Sequence, residues 1–129
     1  MTPTPPHLTS DPPSRGWAAT GALLAGLGVA LGAFGAHALE PLLSESRLDT
    51  YRTAVRYQTH QALGLILLAL LPTRARVAAP VLLAGTLVFS GALYLLIALD
   101  APLFGAVAPI GGAAMILGWL LAAWRLLRG

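Results

Sequence analysis

Three long runs without a charged side chain constrain the fold of this chain more than any other feature. They cover residues 16–39, 77–99 and 101–124. A helix rises about 1.5 Å per residue, so about 20 residues are enough to cross a hydrocarbon core of about 30 Å. Each run exceeds that length. The pattern therefore predicts helices that span a membrane.

The composition excludes a soluble globular domain. Of the 129 residues, 57% are hydrophobic and only 10% are charged, whereas soluble domains carry about 25% charged residues. Disorder is excluded too, because it requires low hydrophobicity. The cationic side chains are all arginines, and they lie scattered at the ends of apolar runs, so a net charge of +3 does not indicate nucleic-acid binding. The absence of cysteine excludes disulfides and thiol catalysis.

A further helix is predicted between the first two runs. Residues 57–73 carry no charge but are too few to cross, so we extend the helix back to about Asp49, where Ser46 and Asp49 resemble a capping box. The prediction is a disordered proline-rich tail, residues 1–15, followed by a four-span membrane domain, residues 16–129. Its fold class is all-α, an integral membrane four-helix antiparallel bundle. The helices are predicted at about 16–39, 49–72, 77–99 and 103–125.

Two local patterns leave alternatives open. Pro109 lies inside the last run, where it either kinks the fourth helix or marks its start. The segment Ala36-His37-Ala38 has the form of a signal-peptidase site. The apolar run before it is longer than the 7–15 residues, roughly, of a signal core, which favours a span that is retained.

The distribution of arginine predicts the orientation. With four spans, both termini lie on one side of the membrane. That side carries the larger group of arginines, namely Arg15, Arg74, Arg76, Arg125 and Arg128. The positive-inside rule therefore predicts that both termini lie in the cytoplasm.

Glycines predict where the helices approach one another closely. Gly28 and Gly32 form a GxxxG pair, a pattern that lets helix backbones come near each other in lipid. Such a pair serves either packing within one bundle or association of two copies, and we favour packing within the bundle. The predicted packing positions are Gly28, Gly32, Gly35, Gly111 and Gly112.

Polar residues predict a site near the non-cytoplasmic ends of the first three helices. Arg52, Arg56 and His60 recur every four residues and therefore share one helix face. A charged group at membrane depth is costly and usually pairs. The site is interpreted either as a binding site for an anion, a proton or a metal, or as a layer of ion pairs in which Arg56 meets Glu40 or Asp100; we favour the second. The candidate residues are His37, Glu40, Arg56, Tyr57, His60 and Asp100.

Catalytic and cofactor motifs are missing from this pattern. Two histidines and a carboxylate resemble a ligand set, but the sequence has neither HExxH nor Glu-x-x-His. Ser90 precedes a glycine without the G-x-S-x-G context of a nucleophile. We therefore predict no enzymatic activity, no metal and no cofactor.

Four segments resemble a known family. Residues 32–39 (GAFGAHAL), 53–60 (TAVRYQTH), 89–95 (FSGALYL) and 109–119 (PIGGAAMILGW) are similar in order and spacing to the YgdD-like membrane proteins, the family called domain of unknown function 423. The resemblance implies a four-span protein of the bacterial inner (plasma) membrane and brings no activity, substrate or cofactor. Its motif residues fall on Gly35, His37, Arg56, Tyr57, Gln58, His60, Ser90, Tyr94, Pro109 and Gly111.

Three functional hypotheses follow. The first is a structural or accessory membrane protein whose polar layer fixes the bundle and meets a membrane-protein partner or a second copy. The second is a small transporter or channel for a solute, an ion or a proton that uses His37, Arg56 and His60. The third, and weakest, is a redox or metal enzyme. The lipid bilayer is the expected surrounding in each case.

Overall fold

The computed structural model describes residues 11–129, and all regular structure in this part of the chain is helical. Helix α1 covers Arg15–Phe34 and continues into a π-helical segment, Gly35–Leu39. Helix α2 covers Glu45–Leu70, α3 covers Ala78–Leu99 and α4 covers Phe104–Leu127. A short 3-10 turn, Thr73–Ala75, lies between α2 and α3. These four helices confirm the predicted all-α class.

The start of α1 is fixed by hydrogen bonds to the opposite end of α2. The Ser14 side chain accepts from the Trp17 backbone N–H at 3.3 Å and caps α1. The Ser14 N–H donates to the Ala69 carbonyl at 2.9 Å. Most of the predicted disordered tail, residues 1–10, lies outside the described residues. The last part of that tail, residues 11–14, is bonded to the helices, and Arg15 already belongs to α1.

Helix α2 begins at Glu45 rather than near Asp49. The Ser44 side chain accepts from the Arg47 backbone N–H at 3.3 Å and caps the helix. The Ser46 and Asp49 pair, which we interpreted as the cap, therefore lies inside the first turns. Sequence spacing alone did not distinguish these two serines, because either one precedes a run that can form a helix.

The fourth helix passes through Pro109. It begins at Phe104, so Pro109 lies within its second turn rather than at its start. A proline there removes one backbone donor and leaves the carbonyl of Gly105, four residues earlier, without its helical partner. Of the two alternatives, the start at Pro109 is wrong.

Neighbouring helices in the sequence are neighbours in space. Helix α2 packs against α1 and α3, and α3 packs against α4. Within residues 11–129, α1 and α4 make no extensive contact with each other, so α2 and α3 form the middle of the molecule. The larger core cluster lies between α2, α3 and α4. Its buried members are Leu65, Leu68, Ala78, Ala79, Leu82, Met115 and Ala122.

Helical segments that are long and apolar enough to cross a membrane are Arg15–Leu39, Thr73–Leu99 and Phe104–Leu127. Helix α2 has 26 residues but is more polar than these three. Near its start, Arg47 pairs with Asp100 at the end of α3. Near its end, Ala69 bonds to Ser14 at the start of α1. Helix α2 therefore runs alongside its neighbours over most of their length.

The glycines of α1 face α2. A Cβ atom on Gly28 would lie 2.7 Å from Thr59 Oγ1, and one on Gly32 would lie 3.5 Å from Val55 Cγ1. Gly35 faces the ring of Tyr51. These contacts lie within one chain, so the GxxxG surface is already used by the bundle.

The glycines of α4 face α3. A Cβ atom on Gly111 would lie 2.7 Å from the Gly85 carbonyl oxygen, while one on Gly85 would lie 2.7 Å from the Met115 backbone nitrogen. The two backbones therefore approach each other without a side chain between them. Gly112 faces the Phe89 ring more loosely, with a Cβ distance of 3.7 Å.

Candidate functional site

Helix α2 carries two polar faces that point in different directions. Its inner face is buried and contains Tyr51, Ala54, Gln58 and Gln61, at spacings of a helical stripe. Its outer face is exposed and contains Arg52, Arg56 and His60, as their four-residue spacing predicts. We call the first set the inner stripe and the second set the outer row.

Gln58 is the centre of the inner stripe. Its Nε2 donates to the Leu24 carbonyl of α1 at 2.9 Å, and its Oε1 accepts from the Tyr94 hydroxyl of α3 at 2.6 Å. The side chain is only 3% exposed. One amide therefore links three helices, and a buried amide is tolerated in such a place because it is hydrogen-bonded.

The other inner-stripe residues extend these links. The Ser90 hydroxyl of α3 donates to the Ala54 carbonyl at 2.8 Å. The Trp119 Nε1 of α4 donates to Gln61 Oε1 at 2.7 Å. The Tyr51 hydroxyl donates to the Leu31 carbonyl of α1. Through the inner stripe, α2 is hydrogen-bonded to each of the other three helices.

The π-helical segment lies beside this network. Its signature is the bond from the Glu40 N–H to the Gly35 carbonyl at 3.0 Å, five residues apart. Gly35 lies where the Tyr51 ring packs, so the absence of a Cβ atom leaves room for that ring. Single π turns recur at functional sites. His37, within the segment, is exposed.

The ion pair at Asp100 is formed by a different arginine from the one that we predicted. Asp100 accepts from Arg47 NH1 at 2.9 Å, and Arg47 NH2 also donates to the Ile97 carbonyl at 3.1 Å. Arg47, which the sequence analysis did not select, thus takes the role that we gave to Arg56. Among the described residues, Arg56 and Glu40 make no salt bridge within 4.0 Å.

The candidate residues do not lie at one depth. Asp100 is level with Arg47, and thirteen residues of helix, about 20 Å, separate Arg47 from His60. Of the six candidates, Tyr57 and His60 pack together, with ring centroids 6.0 Å apart. Tyr57 also contacts Phe89, at 5.1 Å between ring centroids. The prediction that the histidines and Arg56 gather with Asp100 in one layer is therefore corrected.

The outer row lies deeper than the helix ends. Val55 and Thr59 face Gly32 and Gly28 of α1, so Arg56 is roughly 10 Å below the end of the π-helical segment and His60 is about 6 Å deeper. An arginine at the centre of a bilayer costs about 2.5–3.5 kcal/mol on insertion scales. Exposed cationic groups at this depth therefore require a polar partner or must extend towards the surface.

Three grooves border α2. The first has a volume of about 180 Å³, lies between α1 and α2, and has Arg52 and Arg56 on its rim. The second, about 190 Å³, lies between α1 and α3 and includes Gln58, Ser90 and Tyr94. The third, about 440 Å³, is lined by residues of α2, α3 and α4: Thr53, Tyr57, Gln61, Phe89, Gly112, Met115, Ile116 and Trp119.

Metal ligation finds no support in the geometry of residues 11–129. No group of three or more histidine, aspartate or glutamate side chains in this range is placed to hold a metal ion. His37 and His60 are both exposed, and they lie at different depths along α1 and α2.

Comparison with known proteins identifies relatives over most of the chain. Residues 31–112 match the family described as Protein of unknown function (DUF423). The UPF0382 membrane protein YwdK of Bacillus subtilis is 38% identical over 107 residues, which cover 78% of this chain and 87% of that protein. A UPF0382 membrane protein of Staphylococcus haemolyticus is 39% identical over 105 residues, covering 78% and 86%. No solved structure matches this chain.

The family match includes the inner stripe. Residues 31–112 contain Tyr51, Gln58, Gln61, Ser90 and Tyr94, while Trp119 lies beyond them. Gln61 was not among the residues selected from the sequence, and Gln58 was selected only through the family resemblance. Both glutamines could have been identified from the cost of an unpaired amide in lipid, because that cost requires such a side chain to face a hydrogen-bonding partner.

Proposed function

Because this chain belongs to the DUF423 family, whose relatives above are membrane proteins, we propose that it acts as an accessory protein of the bacterial plasma membrane and carries out no chemistry of its own. The observation that carries this proposal is the pair of hydrogen bonds at Gln58. Polar side chains that face the middle of the molecule hold helices together there. Their polar atoms are hydrogen-bonded between helices, which supports a structural role rather than a chemical one.

The outer row supplies the surface for a partner. Arg52, Arg56 and His60 are exposed and follow one another along α2. Side chains of this kind at membrane depth commonly meet another membrane component. We propose that the inner stripe keeps α2 rigid, so that the outer row is presented at a fixed position.

The proposed orientation places both termini in the cytoplasm. The terminal end of the bundle gathers its arginines: Arg125 Nε donates to the Arg74 carbonyl at 3.0 Å, and Arg76 donates to the Leu71 and Pro12 carbonyls. The positive-inside rule supports that side as cytoplasmic. Arg52 and Arg56 then lie in the half of α2 away from the cytoplasm, and His60 lies just past the middle of the helix.

A second candidate function, transport of an ion, a proton or a small solute, is favoured by one observation. The outer row extends over two turns, about 12 Å along α2, from Arg52 to His60. A series of titratable and cationic groups at membrane depth is typical of ion and proton pathways. In this case a second copy or a partner must close the path, because the row faces outward.

Reconstitution of the full chain in liposomes separates the two functions. The accessory role predicts that proton and anion fluxes equal those of empty liposomes, and that Arg56→Ala changes neither flux. A flux above that of empty liposomes that is lost in Arg56→Ala, but kept in the matched variant Arg128→Ala at the other end, contradicts the accessory role and supports transport.

The partner surface is tested in native membranes. A photoreactive residue in place of His60 is expected to give one discrete cross-linked product, whereas the same residue in place of Leu87, an exposed apolar position of α3, is expected to give none. Equal products from both positions, or none from either, contradict a partner bound at the outer row.

A further inference from the structure

We propose that the groove between α1 and α2 binds the phosphate of an anionic phospholipid, with Arg56 and Arg52 as its hydrogen-bond donors. This is a binding site for a lipid headgroup; it goes beyond the accessory function proposed above and shares Arg52 and Arg56 with the outer row. The groove has a volume of about 180 Å³. Its lining is Gly32, Gly35, Ala36, Tyr51, Arg52, Val55 and Arg56.

Most guanidinium N–H groups of the two arginines make no hydrogen bond among the described residues. Arg56 makes no side-chain hydrogen bond or ion pair among the described residues. Arg52 approaches Asp49 at 3.8 Å, but both side chains are largely exposed, at 52% and 76%. A planar guanidinium matches the geometry of two phosphate oxygens, and its weak hydration suits a site near lipid. The groove therefore offers the donors that a phosphodiester requires.

The shape of the groove favours close approach. Gly32, Gly35 and Ala36 leave little side chain on the α1 wall. Tyr51 also lines the groove, and its hydroxyl is already bonded to the Leu31 carbonyl. This bond holds Tyr51 in place, while Arg52 and Arg56 have long side chains of the kind that can reach towards the membrane surface.

The surface below the arginines fits an acyl chain rather than water. Towards the cytoplasmic half, the outer face of α2 changes from cationic to apolar at Leu63, Leu67 and Leu70, which are 51%, 58% and 60% exposed. A phospholipid has the same order, with a charged headgroup followed by hydrocarbon. A free phosphate ion has no hydrocarbon to contact these leucines, so this order favours a lipid as the occupant.

Charge argues against a second copy as the occupant. A two-fold symmetric contact centred on the groove sets the same surface patch against itself, so Arg56 of one copy meets Arg56 of the other. Such a contact juxtaposes like charges in a medium that screens them poorly. A phosphate neutralises the same groups, and charge complementarity therefore selects the anionic lipid.

Native mass spectrometry of the full chain in detergent tests the site. Phosphatidylglycerol and phosphatidylcholine of equal chain length are titrated separately, and we expect at least ten-fold tighter binding of phosphatidylglycerol. The double variant Arg52→Gln/Arg56→Gln is expected to lose this preference, while Arg128→Gln, which removes a charge at the opposite end, keeps it. Equal binding of the two lipids by the unaltered protein overturns the proposal.

Further experiments distinguish a lipid from free phosphate as the occupant and control for misfolding of the double variant. Millimolar inorganic phosphate is expected to leave the bound lipid in place; full displacement assigns the site to the free ion and overturns the lipid proposal. Arg56→Lys keeps the charge but loses the paired donors, and an intermediate affinity is expected. If the double variant fails to elute as a folded species, Arg56→Lys and the comparison of lipids on the unaltered protein test the lipid proposal instead. A dimer that Arg56→Lys dissociates identifies a second copy as the occupant and contradicts the proposal.

Discussion

The Tyr94 hydroxyl of α3 donates a 2.6 Å hydrogen bond to Gln58 Oε1 of α2, and the same amide donates onward to the Leu24 carbonyl of α1. This relay joins three helices at membrane depth through a single side chain. Helix α2 is the most polar helix of the molecule, yet it lies in the middle. The relay explains this position, because its inward polar atoms are bonded to the helices that surround it.

Replacing Gln58 tests the relay. Gln58→Leu removes both bonds and leaves the Tyr94 hydroxyl without its acceptor, so we expect the free energy of unfolding to fall by about 2 kcal/mol. Tyr94→Phe removes one bond with little change of shape, and the expected loss is about 1 kcal/mol. Reversible unfolding in mixed micelles measures both. If both losses lie below about 0.3 kcal/mol, the relay does not stabilise the bundle.

Close backbone packing between α3 and α4 is tested at Gly85. A Cβ atom there would lie 2.7 Å from the Met115 nitrogen and 2.9 Å from the Gly111 carbonyl oxygen. Both are backbone atoms, so the helices must separate, and Gly85→Ala is expected to cost about 1–3 kcal/mol. Gly91→Ala is the matched control on the same helix, because no atom lies within 4 Å of its added Cβ. Equal destabilisation by the two variants contradicts this account.

The Arg47–Asp100 pair predicts an unequal effect of its two partners. Arg47 donates both to Asp100 and to the Ile97 carbonyl, so Arg47→Ala removes two contacts between α2 and α3. Asp100→Asn removes the charge and keeps a residue type that tolerates the positive φ of 48° at this position. We expect a loss of about 1 kcal/mol for Arg47→Ala and about half of that for Asp100→Asn, since the pair is partly exposed. Thermal unfolding in detergent compares them, and a larger loss for Asp100→Asn contradicts the assignment.

The helical framework was predictable because lipid imposes simple rules. Charge-free runs of sufficient length gave α1, α3 and α4, and the ends at Leu39 and Leu99 agree with the predicted ones. The start of α2 was displaced because the cap depends on one serine hydroxyl, Ser44, and two serines compete within the same short link.

The candidate site was less predictable than the fold. The four-residue spacing placed Arg52, Arg56 and His60 on one face, and the structure places that face outward. Spacing gives the face of a helix but not its rotation relative to its neighbours. That rotation is set by the bonds of Gln58 and Gln61 to partners 34 and 58 residues distant in the chain, which no local pattern contains.

The link between α2 and α3 predicts a dependence on pH. The Asp11 carboxylate accepts from the Thr73 backbone N–H at 2.6 Å, and this bond, with the charges of Arg76 and Arg74, lowers the pKa of Asp11 below its ordinary value of 3.8. Because the folded pKa is depressed, the bond contributes fully above about pH 4 and is lost as the pH falls through the lowered pKa.

Hydrogen exchange of the Thr73 amide measures this: protection is expected to hold at pH 5 and to decrease only below the ordinary pKa of a free aspartate. Asp11→Asn is expected to reduce protection at pH 5 and to remove its pH dependence, with the amide of Trp17, capped by Ser14, as an unaffected reference. Protection of Thr73 that already declines between pH 6 and pH 5, or that is the same in Asp11→Asn, contradicts the role of this carboxylate.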